Sequence, residues 1–404
     1  MTRGSSFKRT GLFIAGIWSF ALLSGCTAWR SPADERPIRA ARARGEVAIA
    51  VAWPWELRKE VRYGEGLEMA ADEANAAGGV NGRPLRLVRF DDGGSVDEGR
   101  LVAQRIAADP DIVAVIGHLQ SYVTVPAAAI YDLSGLVLIA PTSTDPELTS
   151  HGYKRVFRTT FTDKAIGRQL AQFASQRRFR RVAIYYIRNT YGRELANAFE
   201  ERANEIGVTV VGRRSYDPSD EVTPRTFDPI VSQWKTLEMD AIFLAGEVPS
   251  AALFIATARE AGLKVPILGG DAMSSPALMN VSGRAAEGTI VGSFFHPDEP
   301  RAEVRGFAEA FRKRYGVPPD AGSAVGYDAV RLLVHAMQQA HSSVPDEVAT
   351  ALHKVRDWPG VTGAFTFDND GDVVGKQLVK LLVRNGRFEY LSDSPKAMAT
   401  IASR

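Results

Sequence analysis

The chain has 404 residues, of which 45% are hydrophobic and 24% are charged. This composition is typical of a globular protein with room for one or two domains, and it excludes a disordered or fibrous chain. Lysine and arginine number 49 against 47 aspartate and glutamate residues, which gives a net charge of +2. So small an excess argues against a protein devoted to nucleic acid or another polyanion.

The N-terminus has the layout of an export signal. Basic residues precede an apolar run over 11–23, and Leu23-Ser24-Gly25 leads into Cys26, the one cysteine of the chain. The apolar run is too short to span a bilayer comfortably. We therefore predict a lipoprotein signal peptide over 1–25 and lipidation of Cys26, the alternative being a buried free cysteine. Thr27 leaves open whether the anchor lies in the cell membrane or the outer membrane.

Residues 26–45 are rich in arginine, proline and alanine. This pattern predicts a flexible linker, either near anionic lipid headgroups or simply solvated. Once Cys26 is acylated, no thiol remains for a disulfide or a thiolate metal site. The six histidines lack the spacing of a helical metal pair, so we expect no structural metal.

From residue 46 onward, short β-branched runs alternate with longer segments of helical period. The first series predicts strands at 47–52, 85–90, 112–116 and 136–139, with helices at 63–77, 96–108 and 127–133. The second predicts helices at 164–176, 193–206, 230–237 and 251–261, with strands at 182–186, 208–212, 241–245 and 265–269. The runs are apolar almost throughout, as in parallel sheets covered on both faces. The sequence thus predicts an α/β protein with two doubly wound, Rossmann-like lobes and a ligand crevice between them.

The motifs of several enzyme classes are missing. No Walker loop, no G-x-G-x-x-G after a strand and no G-x-S-x-G elbow occurs, and no nucleophile and base stand out. The sequence Asp368-Asn369-Asp370-Gly371 imitates the start of a calcium loop, but a hairpin turn is the better interpretation. Asp91-Asp92 is interpreted as a solvated turn before two glycines.

Two polar loops follow buried strands. Residues 117–122 and 140–146 each connect a strand to a helix start rich in hydroxyl groups. Ser121 is predicted to cap its helix, and the free N–H groups beside it could face an anion. Simple capping without a ligand is the alternative for either loop alone.

An ordered set of short motifs runs through the chain between residues 46 and 390. It includes Gly78-Gly79-Val80-Asn81-Gly82, Asn189-Thr190-Tyr191-Gly192, Gly269-Gly270-Asp271 and Gly326-Tyr327-Asp328-Ala329. By these motifs the chain resembles the type I periplasmic binding proteins for branched-chain amino acids, the receptors of ABC importers. The resemblance implies two lobes joined by three crossovers, lobe 1 from 46–161 plus 294–366 and lobe 2 from 162–293 plus 367–390, with a tail over 391–404.

The resemblance also implies the roles of several residues. Ser121 and its loop, including Tyr122, would hold a ligand α-carboxylate, and the loop with Ser143 and Thr144 would contact the ligand backbone. Asp271 would pair with the α-ammonium group, and Tyr191 would close over the ligand. A desolvated zwitterion needs donors at one end and a carboxylate at the other.

The chain departs from the family pattern at three places. Glu247 stands where an aromatic residue is usual, and it either meets a second cationic group of the ligand or points to solvent. Trp53 and Trp55 replace a small, polar loop, and either fill the specificity pocket or pack in the core or rim. Gly94 and Gln120 occupy the positions of a disulfide found in some relatives.

We therefore predict a monomeric solute-binding lipoprotein of the periplasm that captures a small polar metabolite, above all an amino acid or analogue, for ABC permease subunits. It is expected to need no cofactor and to catalyse no reaction. The alternative is a sensor or partner-regulating lipoprotein of the same fold.

Overall fold

The computed structural model describes residues 30–217 and 223–392. The predicted signal peptide, the lipidation site Cys26 and residues 393–404 of the predicted tail lie outside the described residues. The described chain forms two α/β lobes, each built on its own sheet, which confirms the predicted fold class. Within these residues, no helix is both long and apolar enough to cross a membrane.

Lobe 1 contains five parallel strands in the order β2-β1-β3-β4-β5. Alternate residues of the first strand enter two different buried clusters, Val47, Ile49 and Val51 on one face and three alanines on the other. This period of two gives a strand covered by helices on both faces. The elements are α1 Pro32–Arg42, β1 Val47–Trp53, α2 Tyr63–Ala76, β2 Leu85–Asp91, α3 Val96–Ala108, β3 Ile112–Gly117, α4 Ser121–Leu133, β4 Val137–Ala140 and β5 Val156–Arg158.

The second βα series forms lobe 2, as its sequence period predicts. Its parallel strands end at one edge of the sheet, and the loops that follow them carry the polar residues described below. The elements are α5 Asp163–Gln176, β6 Arg181–Ile187, α6 Thr190–Glu205, β7 Thr209–Tyr216, α7 Pro224–Trp234, β8 Ala241–Ala245, α8 Ser250–Glu260, β9 Ile267–Gly269, α9 Ala277–Ser282 and β10 Ile290–Ser293.

The last part of the chain is divided between the lobes. The elements are α10 Ala302–Tyr315, α11 Ala321–Ala340, α12 Pro345–His353, β11 Trp358–Gly360, β12 Gly363–Phe365, β13 Val379–Arg384 and β14 Arg387–Tyr390. Apolar residues of α10, α11 and α12 join the cluster of lobe 1. Strands β13 and β14 extend the sheet of lobe 2 in antiparallel fashion, which gives the order β14-β13-β10-β9-β8-β6-β7. The chain thus crosses between lobes after β5, β10 and β12.

Buried cations join the first crossover to the third. Arg158 is fully buried at the end of β5, and its Nε donates to Asp372 Oδ1 at 2.7 Å. The Nζ of Lys376 donates to the carbonyl of Thr159 at 3.0 Å and to Thr362 Oγ1 at 2.9 Å. Burial lowers the pKa of Lys376 to about 7. The two crossovers therefore form one polar joint between the lobes.

The predicted flexible linker is wrong for residues 32–42, which form helix α1. Ser31 and Asp34 cap it reciprocally, each side chain accepting from the other's backbone N–H. Arg36 is buried against lobe 1, where its Nη2 donates to the carbonyls of Ala107 at 2.8 Å and Asp109 at 3.0 Å. Free carbonyls at the end of α3 attract a cation. Composition alone could not show that one arginine of the segment would meet them.

The acidic turn over 368–372 is the predicted hairpin turn. Phe367 and Val373 form an antiparallel bridge, and Asp368 Oδ1 accepts from the backbone N–H groups of Asp370 and Asp372. Asp372 then reaches Arg158, so the turn contributes to the joint between the crossovers. Across the described residues, no group of three or more His, Cys, Asp or Glu side chains is placed to hold a metal ion.

Candidate ligand-binding cleft

The loop between β3 and α4 is held from beneath by a buried polar network. A Cβ at Gly117 would lie 2.3 Å from the carbonyl oxygen of Ala52, so only glycine fits. The next residue, His118, is fully buried, with Nδ1 2.6 Å from Asp92 Oδ2 and Nε2 3.0 Å from the hydroxyl of Tyr131. Because Asp92 is also fully buried, the predicted solvated turn is wrong at its second aspartate. The network positions the loop and is sealed from any ligand.

Ser121 connects the two polar loops of lobe 1. It is the first residue of α4, whose N-cap is Gln120, so the prediction that Ser121 caps the helix is wrong. Its Oγ instead accepts from the backbone N–H groups of Thr144 at 3.1 Å and Asp145 at 3.3 Å. The two loops predicted to act together are therefore in direct contact. Since both lone pairs of the hydroxyl are used, its proton is directed elsewhere.

Tyr122 and Ser143 lie at the margins of this arrangement. Tyr122 is 58% exposed, and its hydroxyl donates to the carbonyl of Gly94 at 3.2 Å. Ser143 is fully buried and donates to Thr124 Oγ1 within lobe 1. The structure thus keeps Tyr122 at the rim and turns Ser143 away from the space between the lobes.

Tyr191 and Asp271 form a hydrogen-bonded pair in lobe 2. The hydroxyl of Tyr191 donates to Asp271 Oδ1 at 3.0 Å and accepts from the N–H of Ala272 at 3.3 Å. A Cβ at Gly270 would lie 2.4 Å from that hydroxyl, so the glycine before the aspartate is required. Burial raises the pKa of Asp271 to about 6, against the opposing hydrogen bond from Tyr191. A carboxylate so placed is suited to a cationic partner.

Glu247 follows β8 in lobe 2 and is half-buried. Its Oε1 accepts from Asn189 Nδ2 at 2.8 Å, and Asn189 Oδ1 accepts from the N–H of Gly192 at 2.9 Å as the cap of α6. The pKa of Tyr122, in the opposite lobe, is raised by burial and by the charge of Glu247. The charge of Glu247 thus acts on a residue of the opposite lobe, and the role of Glu247 toward a ligand stays a prediction.

The tryptophans after β1 pack within lobe 1. Trp53 is 1% exposed and stacks on Tyr63, with ring centroids 3.8 Å apart. The indole of Trp55 donates to the carbonyl of Phe90 at 3.0 Å and lies 4.5 Å beneath the guanidinium of Arg89. The N–H and one face of Trp55 are thus engaged within lobe 1, the residue is only partly buried, and its place among the ligand contacts stays a prediction.

Asp163 is a residue of the cleft that the sequence analysis missed. It begins α5, just after the first crossover, and is 1% exposed. Its backbone N–H donates to the carbonyl of Thr144 at 2.9 Å, while its Oδ1 has no hydrogen-bond partner. Burial and the nearby charge of Asp271 raise the pKa of Asp163 well above its usual range, although the Thr144 hydroxyl bonds to it. In the sequence, the N-capping residue Thr162 directly before this aspartate could have indicated its place at the start of a helix.

Asp163 links polar residues of lobe 1 and lobe 2. It contacts Thr144 of lobe 1 and lies within electrostatic range of Asp271 of lobe 2. We use the name cleft for the space bounded by these residues and their neighbours, namely Ser121, Thr144, Asp163, Tyr191, Glu247 and Asp271.

The chain is similar in sequence to several curated proteins. It is 31% identical to the Leu/Ile/Val-binding protein homolog 1 of Brucella suis over 315 residues, which cover 76% of this chain and 81% of the relative. It is 30% identical to the Leu/Ile/Val-binding protein of Escherichia coli over 319 residues, covering 78% and 84%.

Solved structures give the same result. An ABC transporter substrate-binding protein from Desulfitobacterium hafniense, solved in complex with Leu, shares 40% identity and a TM-score of 0.78, covering 86% of this chain and all of the other. A leucine binding protein from Thermotoga maritima shares 28% identity and a TM-score of 0.76, covering 86% and 98%. The model of the periplasmic binding protein family matches residues 61–379. The resemblance drawn from the motifs is thus confirmed, and the chain belongs to the periplasmic binding protein family.

Proposed function

We propose that this protein captures an α-amino acid in the cleft and delivers it to an ABC importer. Members of the family are ligand carriers, not enzymes, and they act outside the cytoplasm. The relatives named for leucine, isoleucine and valine, and the neighbour solved with Leu, support an amino acid as the ligand.

The observation that carries the proposal is that the cleft has a hydroxyl donor in lobe 1 and a buried carboxylate in lobe 2. At one end, Ser121 accepts from two backbone N–H groups and keeps its own proton to donate to a ligand carboxylate. At the other, Tyr191 holds Asp271 in a buried position where an ammonium group would compensate its charge. Thr144 contributes a third polar group. Its hydroxyl bonds to Asp163 and can still accept a hydrogen bond from the ligand.

Closure would occur by bending at the three crossovers, with 46–161 plus 294–366 as lobe 1 and 162–293 plus 367–390 as lobe 2. The separate sheets support this division. In the proposal the closed lobes present a surface to the permease, and a lipid on Cys26 keeps the monomeric receptor at the membrane.

The test is isothermal titration of the exported chain, carrying Cys26→Ser, with the common L-amino acids. We expect at least one to bind, and Asp271→Asn to weaken it by at least about thirtyfold, because removing one partner of a buried charged pair costs about 2–5 kcal/mol. Asp228→Asn, an exposed change of the same kind in lobe 2, should leave affinity within twofold. Absence of binding by every amino acid would refute the proposal.

A further inference from the structure

The cleft contains more carboxyl groups than the one ammonium group of a simple amino acid can compensate. Three carboxyl groups, on Asp163, Glu247 and Asp271, border it. Among the described residues none of the three forms an ion pair with a lysine, arginine or histidine. Arg158 is the cation whose charge acts on the pKa of Asp163, but its guanidinium is already paired with Asp372. A zwitterion brings one ammonium group and adds a carboxylate of its own.

Glu247 is the carboxylate best placed to take an additional cation. Its Oε1 accepts from Asn189, and the described residues give its carboxylate no other hydrogen bond. Asn189 is itself fixed, since its oxygen caps α6. A half-buried carboxylate with one neutral partner is only partly compensated for the water it has lost.

The sheet register places Glu247 beside the proposed ammonium site. Strands β8 and β9 are parallel neighbours, and Leu244 pairs with Gly269. Glu247 and Asp271 follow these residues in the loops at the same edge, on strands roughly 5 Å apart. Two carboxylates on adjacent strand ends can therefore be bridged by the two amino groups of one small ligand.

Asp163 supplies a second, independent indication of a polar ligand. Its side chain is 1% exposed, and its Oδ1 has no hydrogen-bond partner. Buried polar atoms are nearly always satisfied, so an unsatisfied one at a binding cleft is best explained by a polar group of the ligand.

We infer that the cleft favours α-amino acids whose side chain carries a second cationic group, with Glu247 as the acceptor of that group. This inference rests on the proposed function and narrows its ligand class. Asp271 takes the α-ammonium group, and Glu247 takes the side-chain cation.

The test compares L-lysine with L-norleucine, which has the same number of side-chain carbons but no terminal amine. By isothermal titration, lysine should bind the exported chain with Cys26→Ser at least tenfold more tightly than norleucine. Glu247→Gln keeps the shape and removes the charge, and it should weaken lysine binding at least tenfold more than it weakens norleucine binding. Glu260→Gln, an exposed change in the following helix, is the matched control and should change neither.

Each outcome bears on a different claim. If norleucine or leucine binds and lysine is no tighter, or if Glu247→Gln weakens both ligands equally, the inference is overturned and amino-acid capture stands. If no amino acid binds, the proposed function fails as well. The lysine and norleucine comparison on the unchanged cleft is decisive even if the Glu247 variant does not fold.

Discussion

Arg36→Met tests the unexpected docking of α1 on lobe 1. The guanidinium donates to four carbonyls, those of Ile112, Ser134, Ala107 and Asp109. Two belong to the end of α3 and one to the residue after α4, where helix carbonyls lack partners of their own. Methionine preserves much of the side-chain volume and removes every donor.

The expected magnitude follows from the cost of breaking a buried charged network. Burial lowers the pKa of Arg36 to about 10, which shows that the guanidinium has lost water and depends on its carbonyl partners. Losing one partner from a buried charged network costs about 3–5 kcal/mol, because the acceptors are left unsatisfied. If α1 detaches in the variant, water hydrates these carbonyls, so the stability lost by the substitution cannot exceed the free energy with which α1 docks on lobe 1. We expect about 3 kcal/mol, or about a hundredfold in the opening equilibrium.

Hydrogen exchange detected by mass spectrometry measures this opening directly. In the variant, amides of residues 32–42 should exchange about a hundredfold faster, while the strands of lobe 1 keep their protection. Arg36→Lys should fall between, because an ammonium cannot match the planar fork of donors. Arg42→Met, an exposed change in the same helix, should have no effect. Unchanged exchange of α1 in Arg36→Met would refute the reasoning.

Two further predictions concern the cleft. Because the pKa of Asp271 is raised to about 6, its carboxylate is ionised above that pH and protonated below it. Calorimetric titration at pH 5 should therefore show roughly tenfold weaker amino-acid binding than at pH 7.5. Asp271→Asn should abolish this pH dependence. In Gly192→Ala the new Cβ would lie 2.1 Å from the carbonyl oxygen of Ile187, so thermal melting should show a stability loss of about 1–3 kcal/mol or more, and titration should show weaker binding because Tyr191 is displaced. The control Gly306→Ala, whose Cβ meets nothing within 4 Å in α10, should be neutral or stabilising. Equal melting of the two variants would contradict the clash.

The position of a cleft residue was predictable where it follows a strand end. Ser121, Thr144, Tyr191 and Asp271 each follow a buried strand, and parallel strands bring such loops to one edge of a sheet. The direction of a side chain was not predictable in this way. Ser143, next to Thr144, turns into lobe 1 because its hydroxyl finds Thr124 there.

Other misses have the same origin in burial. Asp92 looked like a solvated turn residue, yet the packing of α4 brings His118 against it. Arg36 looked like part of a solvated linker, yet three helix and strand ends converge on it. None of these partners adjoins its residue in the sequence.

Local patterns in the sequence predicted most of the strands and helices up to residue 269, the two-lobed α/β class, the family and the strand-end loops of the cleft, because hydrophobic period and turn residues act locally. Which polar groups are buried, which are satisfied and which remain open to a ligand depended on the tertiary structure. Asp163 shows the reason: its environment is made by Thr144 and Asp271, from opposite lobes, and a carboxyl group's burial depends on neighbours that no local pattern contains.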